Sequence, residues 1–250
     1  MTAREKIVVS DLSIEVTRRC NLHCEHCLRG PAQYRSISDD ILRKLFKQLD
    51  SVISLTITGG EPSLVPSRIA KVLHFAKLYK VTIENFFIST NGVETKQTPK
   101  FITEVMNLWQ YCDDNEYSGI QISDTEFHKW EHDEEIDFSR HPLNIFKNTT
   151  LRGEYGNLND SRYPVLIDQG RASESSWPTR KNSVAELELE EYADTVNVAG
   201  DSLYINVKGQ LIEGCDWSYE SQNKRAFGTL HDGLIIEQLL KIIKEREVKD

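Results

Sequence analysis

The sequence contains no long apolar run. Its most hydrophobic late stretch, Leu234 to Ile243, is interrupted by Glu237, Gln238 and Lys241, far short of the roughly 20 apolar residues that a membrane span needs. Met1 to Val9 carries Arg4 and Lys6 but no apolar segment. No secretory signal is therefore read, and a cytoplasmic protein is expected. Internal repeats and low-complexity segments are also missing. Basic charge is not in excess: 30 Lys and Arg face 39 Asp and Glu, for a net charge of −9. That balance argues against an extended phosphate-tracking surface, while leaving room for a nucleoside in a local pocket. Cysteine is sparse and odd in number, at five. Without a signal segment, an odd count argues against a disulfide framework.

What is present is an ordinary globular balance, 39% hydrophobic and 28% charged over 250 residues. A chain of this length suffices for one domain, or one domain with a small appendage. Strand and helix patterns alternate along it. Leu12, Ile14 and Val16 alternate with polar residues, and Ser36 or Ser38 can cap a helix with Ile41, Leu42, Leu45, Phe46 and Leu49 on one face. Ser54 to Thr58, Val81 to Ser89 and Gly119 to Ser123 predict further strands, with helices opening near Pro66 and at Thr98-Pro99 between them. This βα order predicts an α/β fold with a parallel sheet. The repeating part uses fewer residues than the roughly 250 of a closed eight-fold barrel, so a partial barrel is expected.

Beyond Ser123 the pattern weakens. The stretch 126–164 has lost its periodicity and reads as a lid or a partly helical segment, with a short helix at Pro142 to Leu151. Val165 to Ile167 predicts a fifth strand, and Ala172 to Asn182 a loop. A boundary near Asp194 divides the chain into a core, 1–194, and a C-terminal extension, 195–250. The extension reads as a hairpin turning at Lys208-Gly209, then a helix capped by Asp232.

Three of the five cysteines, Cys20, Cys24 and Cys27, fall within eight residues directly after the first strand, as C-x₃-C-x₂-C. Thiolates suit iron–sulfur clusters and zinc. Three on one tight loop can hold three corners of a [4Fe–4S] cube and leave one iron open. The alternative is a zinc site with Cys112, Cys215, His23 or His26 as fourth ligand, although zinc ligands usually come as two separated pairs.

This triplet, followed by Gly59-Gly60-Glu61-Pro62 after the second strand, resembles the radical S-adenosylmethionine (SAM) superfamily over about residues 8 to 172. The resemblance implies a partial (β/α)6-type barrel, a [4Fe–4S] cluster on Cys20, Cys24 and Cys27, and SAM chelating the fourth iron. It implies reductive cleavage of SAM to methionine and a 5′-deoxyadenosyl radical, which abstracts hydrogen from substrate. An electron donor such as flavodoxin or ferredoxin is implied as partner. His26 stands where the family usually has an aromatic residue, and imidazole can serve a similar packing role. Gly59, Gly60 and Glu61 match the loop near the SAM amino group. Ser89 and Asn91, with Ser123 and Asp124, match strand ends near its carboxylate and ribose. Arg171, in Gly170-Arg171-Ala172, resembles a recurring element whose guanidinium binds the SAM carboxylate or a substrate acid; its ordinary alternative is a surface salt bridge.

The segment from Gly209 through Cys215 to Leu230 resembles the opening of a SPASM-type extension. With Cys112 as the only other cysteine, an auxiliary cluster is not expected. Cys215 then reads either as a donor of a hydrogen atom to a substrate radical, as in some peptide epimerases of the family, or as a packed small hydrophobe. Cys112 sits on an apolar helix face and reads as packing. His128, His132 and His141 read as lid residues, and Trp130, Trp177 and Trp217 as pocket-lining or packing aromatics. The expected activity is hydrogen abstraction from a peptide, amino-acid-like or nucleoside substrate. The rival is a zinc- or cluster-bound sensor without SAM chemistry, which explains the cysteines but not the Gly-Gly-Glu-Pro loop.

Overall fold

The fold was analysed in a computed structural model, which describes residues 6–114, 116–123, 142–145, 150–152, 166–176, 178–183, 186–191 and 195–248. The N-terminal half alternates as the sequence predicts: β1 (Ile7–Thr17), α1 (Asp39–Phe46), β2 (Leu49–Gly59), α2 (Pro66–Tyr79), β3 (Thr82–Thr90), α3 (Thr98–Trp109) and β4 (Gly119–Ser123). There follow β5 (Thr150–Arg152), β6 (Leu166–Ile167), β7 (Thr179–Arg180), β8 (Leu187–Glu191), β9 (Val196–Gly200), β10 (Leu203–Ile205) and β11 (Gln210–Glu213). The chain closes with α4 (Tyr219–Arg225), β12 (Gly228–Thr229) and α5 (Ile235–Glu247).

Strands β1 to β5 are parallel neighbours in chain order. They form one flank of a ten-stranded sheet that ends at β5 and does not close among the described residues. On the other flank, β1 is covered by two short strands laid end to end. β9 pairs with Ile7–Val9 and β10 with Leu12–Ile14, both parallel. β11 and β12 extend this flank in antiparallel fashion, and β8 pairs with β9. Strands from both sides of residue 194 therefore share one sheet. Among the described residues no helix is long and apolar enough to cross a membrane.

Helix boundaries follow their caps. The Ser38 hydroxyl accepts the Ile41 N–H at 3.2 Å, and Asp39 and Asp40 occupy the first turn of α1, where negative charge is favoured. Pro66 opens α2, its missing N–H costing nothing at that position. The left-handed Lys80 ends the same helix. α1 packs on α2 and α2 on α3 along the sheet. Their apolar stripes bury Leu42, Val72 and Leu108 against Ile14, Leu55 and Ile88.

Four expectations are corrected. The fifth parallel strand is Thr150–Arg152, whereas Leu166–Ile167 pairs with Thr179–Arg180 in a separate two-stranded sheet. Two or three apolar residues satisfy either partner, so local pattern does not decide between them. Where a helix was expected at 142–151, a short 3-10 turn at Pro142–Ile145 precedes β5. The stretch expected as loop at 172–182 contains the end of another such turn, Gly170–Glu174, and β7. Finally, α5 starts after Leu234 with no side-chain cap, so Asp232 does not cap it. The expectations for Asp124, His128, Trp130, His132, His141, Val165, Trp177 and Asp194 lie outside the described residues.

β1 alternates oddly for a central strand. Leu12, Ile14 and Val16 join the core, while Ser13, Glu15 and Thr17 are equally buried on the opposite face. Glu15 is an ionised group in the interior and needs partners. Arg18 Nε donates to its Oε1 at 2.7 Å, and the Val207 N–H donates to the same oxygen at 3.1 Å. The Tyr204 hydroxyl and Gln222 Nε2 donate to Oε2 at 2.7 and 3.0 Å. Gln222 Oε1 in turn accepts from Arg18 Nη2 and from Asn206 Nδ2. One carboxylate thus binds β1, β10 and α4 together.

Two stability outcomes follow. Leu55→Ala, at a position fully buried in the core, is expected to cost about 2–5 kcal/mol in urea unfolding, whereas Leu78→Ala, 56% exposed, should stay within about 0.5 kcal/mol. Glu15→Ala leaves a buried guanidinium without its anion and is expected to cost about 3–5 kcal/mol in the same measurement.

Candidate cofactor-binding cleft

Because β1 to β4 run parallel, their C-terminal ends form one rim, the usual place for chemistry in such sheets. Thr17, Gly59, Thr90 and Ser123 close those strands. A cleft with about 930 Å³ of empty space opens there, lined by all three clustered cysteines together with His26, Gly59, Gly60, Glu61, Ser89, Asn91, Ser123 and Arg171. Residues chosen from five separate sequence regions therefore meet at one place.

The cysteine loop leaves β1 and returns at once: the Arg18 and Arg35 main chains pair at 2.8 Å, and the Gln33 N–H donates to the Arg18 carbonyl at 2.9 Å. At its tip a tight turn closes as the Cys27 N–H donates to Cys24 O at 3.2 Å. Cys24 is buried, while Cys20 and Cys27 are half-buried. Burial pushes the Cys20 thiol up to about 11, opposed by the Leu22 N–H. Metal binding displaces such a proton.

The Gly59-Gly60 segment lies directly on this loop. Gly60 N–H donates to Thr17 O and Glu61 N–H to Arg19 O, both at 2.8 Å. A Cβ on Gly59 would stand 2.1 Å from the Thr17 carbonyl oxygen, and one on Gly60 2.4 Å from that of Arg19. Gly59 also has a φ of 151°, which side chains disfavour. The pair is thus required by the approach of β2's end to the cysteine loop, before any ligand is considered.

Glu61 is buried, and its carboxylate is already occupied. Oε1 accepts the Ser63 N–H at 2.9 Å and the Thr90 hydroxyl at 2.7 Å, and Oε2 accepts the Asn91 N–H at 2.7 Å. Burial pushes its carboxyl above the ordinary range, and these donors pull the other way. Asn91 carries the tie onward: its Nδ2 donates to Asn21 Oδ1 at 2.9 Å, and its Oδ1 accepts the Val93 N–H at 3.0 Å. Ser89 and Ser123 line the cleft beside them, and Asp124 lies outside the described residues.

Arg171 reaches the loop from the turn Gly170–Glu174. Its N–H donates to Cys27 O at 3.0 Å and its Nε to Cys24 O at 2.9 Å. The Nη1 atom is buried with no hydrogen-bond partner among the described residues. A surface salt bridge is therefore not its role there.

Cys215 is not brought to the cleft. It is half-buried against Tyr204, Ile212 and Trp217, and burial pushes its thiol up to about 11. Cys112 is buried in the main core, with its thiol pushed up to about 12 by the same cause. Five cleft residues were missed by sequence reasoning. Thr90 bonds Glu61, Leu22, Leu28 and Thr58 add wall, and Arg29 brings a cationic residue. A cation two residues beyond a thiol triplet was the only local signal for the last.

The donor set fits a cluster with an amino-acid-like ligand. The three thiols that line the cleft are soft ligands of the kind a cluster takes, one thiolate per iron. The orphaned Arg171 Nη1 matches an anionic group entering the same space.

Comparison with known proteins bears on this arrangement. A curated relative, the putative protein YfkA of Bacillus subtilis (strain 168), is 33% identical over 60 residues; the match spans 22% of this chain and 16% of that protein. The structure of native anSMEcpe with bound AdoMet and Cp18Cys peptide superposes with a TM-score of 0.52 at 13% identity, covering 92% of this chain and 80% of that one. Streptococcus suis SuiB bound to precursor peptide SuiA gives a TM-score of 0.42 at 12% identity, over 94% and 64% of the two chains. The first of these likenesses is one of fold. The sequence profile of the Radical SAM superfamily matches residues 14–140, half of the chain and the span that builds the cysteine loop, the glycine pair and β1 to β4: the chain belongs to the radical SAM superfamily.

Proposed function

We propose that this enzyme binds one [4Fe–4S] cluster on Cys20, Cys24 and Cys27 and cleaves SAM reductively in the adjoining cleft. The observation that carries the reading is the meeting of three thiols, a glycine-built wall and Arg171 at one cavity, with the buried Arg171 Nη1 left without a hydrogen bond among the described residues. When bound, such a cluster supplies the electron that splits SAM into methionine and a 5′-deoxyadenosyl radical able to take a hydrogen atom from substrate. The electron itself comes from an external one-electron donor.

The chain's own residues divide the remaining work. Arg171 holds the SAM carboxylate through Nη1, while its Nε and N–H keep the cysteine loop in place. Glu61 and Asn91 act as braces, since their side chains are spent on Thr90, Asn21 and neighbouring main chain. Ser89 and Ser123 line the cleft with hydroxyls suited to a ribose. Leu22, Leu28 and His26 wall the cleft and limit water. Cys215 packs rather than reacts, because it lies outside the cleft. Residues 195–250 extend the core sheet without a second cluster.

For the substrate, the anSMEcpe structure holds AdoMet and a peptide. Carried over as a proposal, that favours a peptide or amino-acid-like substrate over a nucleoside.

Anaerobic reconstitution tests the class. About four irons per chain are expected, with 5′-deoxyadenosine formed on adding dithionite and SAM, and both lost in Cys24→Ala. Stoichiometric zinc without SAM cleavage would overturn the reading, and about eight irons would restore an auxiliary cluster. Arg171→Ala should weaken SAM binding by about 10- to 100-fold in calorimetry, as removal of a charge-assisted hydrogen bond implies. Cys215→Ala should leave SAM cleavage and turnover intact; loss of product with SAM cleavage retained would instead make Cys215 the hydrogen donor.

A further inference from the structure

Arg29 stands two residues beyond Cys27 and lines two cavities at once. It lines the cofactor cleft, and it also lines a second cavity behind the cysteine loop, shared with Arg18, Lys208 and Tyr219. Everything that holds it comes from the C-terminal segment. Nη1 donates to the Trp217 carbonyl at 2.7 Å, and the guanidinium lies 5.0 Å from the centre of the Tyr204 ring. The Arg29 carbonyl accepts the Tyr219 N–H at 3.0 Å. No carboxylate bonds to it among the described residues. Its side-chain hydrogen bond and ring contact are thus to neutral groups, its charge also faces the Glu15 carboxylate, and the residue lines the same cleft as the three thiols.

Its supports are themselves fixed. Tyr204 lies under the guanidinium and gives its hydroxyl hydrogen to Glu15, whose other donors include Gln222 of α4 and Arg18 at the base of the cysteine loop. A path of direct contacts therefore runs from α4 through Gln222, Glu15 and Tyr204 to Arg29.

We propose that Arg29 is a positioning residue through which the C-terminal segment sets both the rigidity of the cysteine loop and the charge felt by the group bound there. The proposal rests on the cluster reading above. A fixed cation favours whichever redox state carries more negative charge, so Arg29 makes a bound cluster easier to reduce. Its pinned main chain also limits opening of the loop. The C-terminal segment then contributes to the site without supplying a ligand.

The test uses the full-length chain in two states. In the reconstituted protein, Arg29→Gln is expected to keep its iron but to show a more negative midpoint in a redox titration followed by electron paramagnetic resonance. Arg29→Lys, which keeps the charge, should stay nearer the native value. In the metal-free protein, hydrogen–deuterium exchange across residues 20–30 is expected to quicken in Arg29→Gln and in Tyr204→Phe, which retains the ring but loses the Glu15 bond. A native midpoint in iron-loaded Arg29→Gln overturns the proposal, as does unchanged exchange in both variants. Should Arg29→Gln fail to hold iron, the exchange measurement alone decides. If the native chain takes up no cluster, the proposed function fails, while the exchange comparison still judges the coupling of Arg29 to the C-terminal segment.

Discussion

A single buried carboxylate, that of Glu15, is the constraint on which the arrangement turns. A charge in the interior of a sheet is costly unless each lone pair is answered. Here the answers come from three places in the chain: Arg18 beside the cysteine loop, Tyr204 and Val207 around the hairpin, and Gln222 in α4. Shifting any one of these segments strands a charge or an amide. Hydrophobic burial makes the fold stable, but this polar cluster selects how the C-terminal segment sits against the loop.

The same logic recurs around the cleft. Loops that carry ligands are usually the mobile parts of a fold. This one is pinned at its base by the Arg18–Arg35 pairing, on one side by the glycine pair, and at its tip by Arg171. Glu61 and Asn91 extend the brace to the end of β3. The thiols are therefore placed by hydrogen bonds that involve no metal, which lowers the ordering cost of taking one up. The glycines serve this closeness first, since the atoms they avoid are carbonyls of the cysteine loop.

Much of the core architecture was legible from sequence. Gly119–Ser123 matched its strand end to end, because Ile120 and Ile122 alternate with non-apolar residues at strand period. The location of Cys20, Gly59, Asn91 and Arg171 on one cleft was legible through their motifs. Their division of labour was not. Glu61 stands where a ligand contact was expected, yet its carboxylate is taken up by Thr90 and main-chain donors. Little local marks that, since two of the three donors lie 29 and 30 residues away. β5 escaped because Thr-Leu-Arg has no apolar alternation, and β6 misled because three apolar residues pair as readily elsewhere. Glu15 was the one visible clue to the buried network, as a charge inside the alternation of Leu12, Ile14 and Val16.

The end-to-end placement of β9 and β10 along β1 has a consequence for how the chain is made. β1 is made well before residues 196–205, which cover its second edge. Contacts of such separation slow folding. Until they form, an open strand edge rich in Val and Ile is available to wrong partners. The Glu15 carboxylate waits on residues 204–222 of the same flank, so the cysteine loop acquires its final base only once these have been made. A chain interrupted before residue 196 would present thiols on a loop whose foundation is missing.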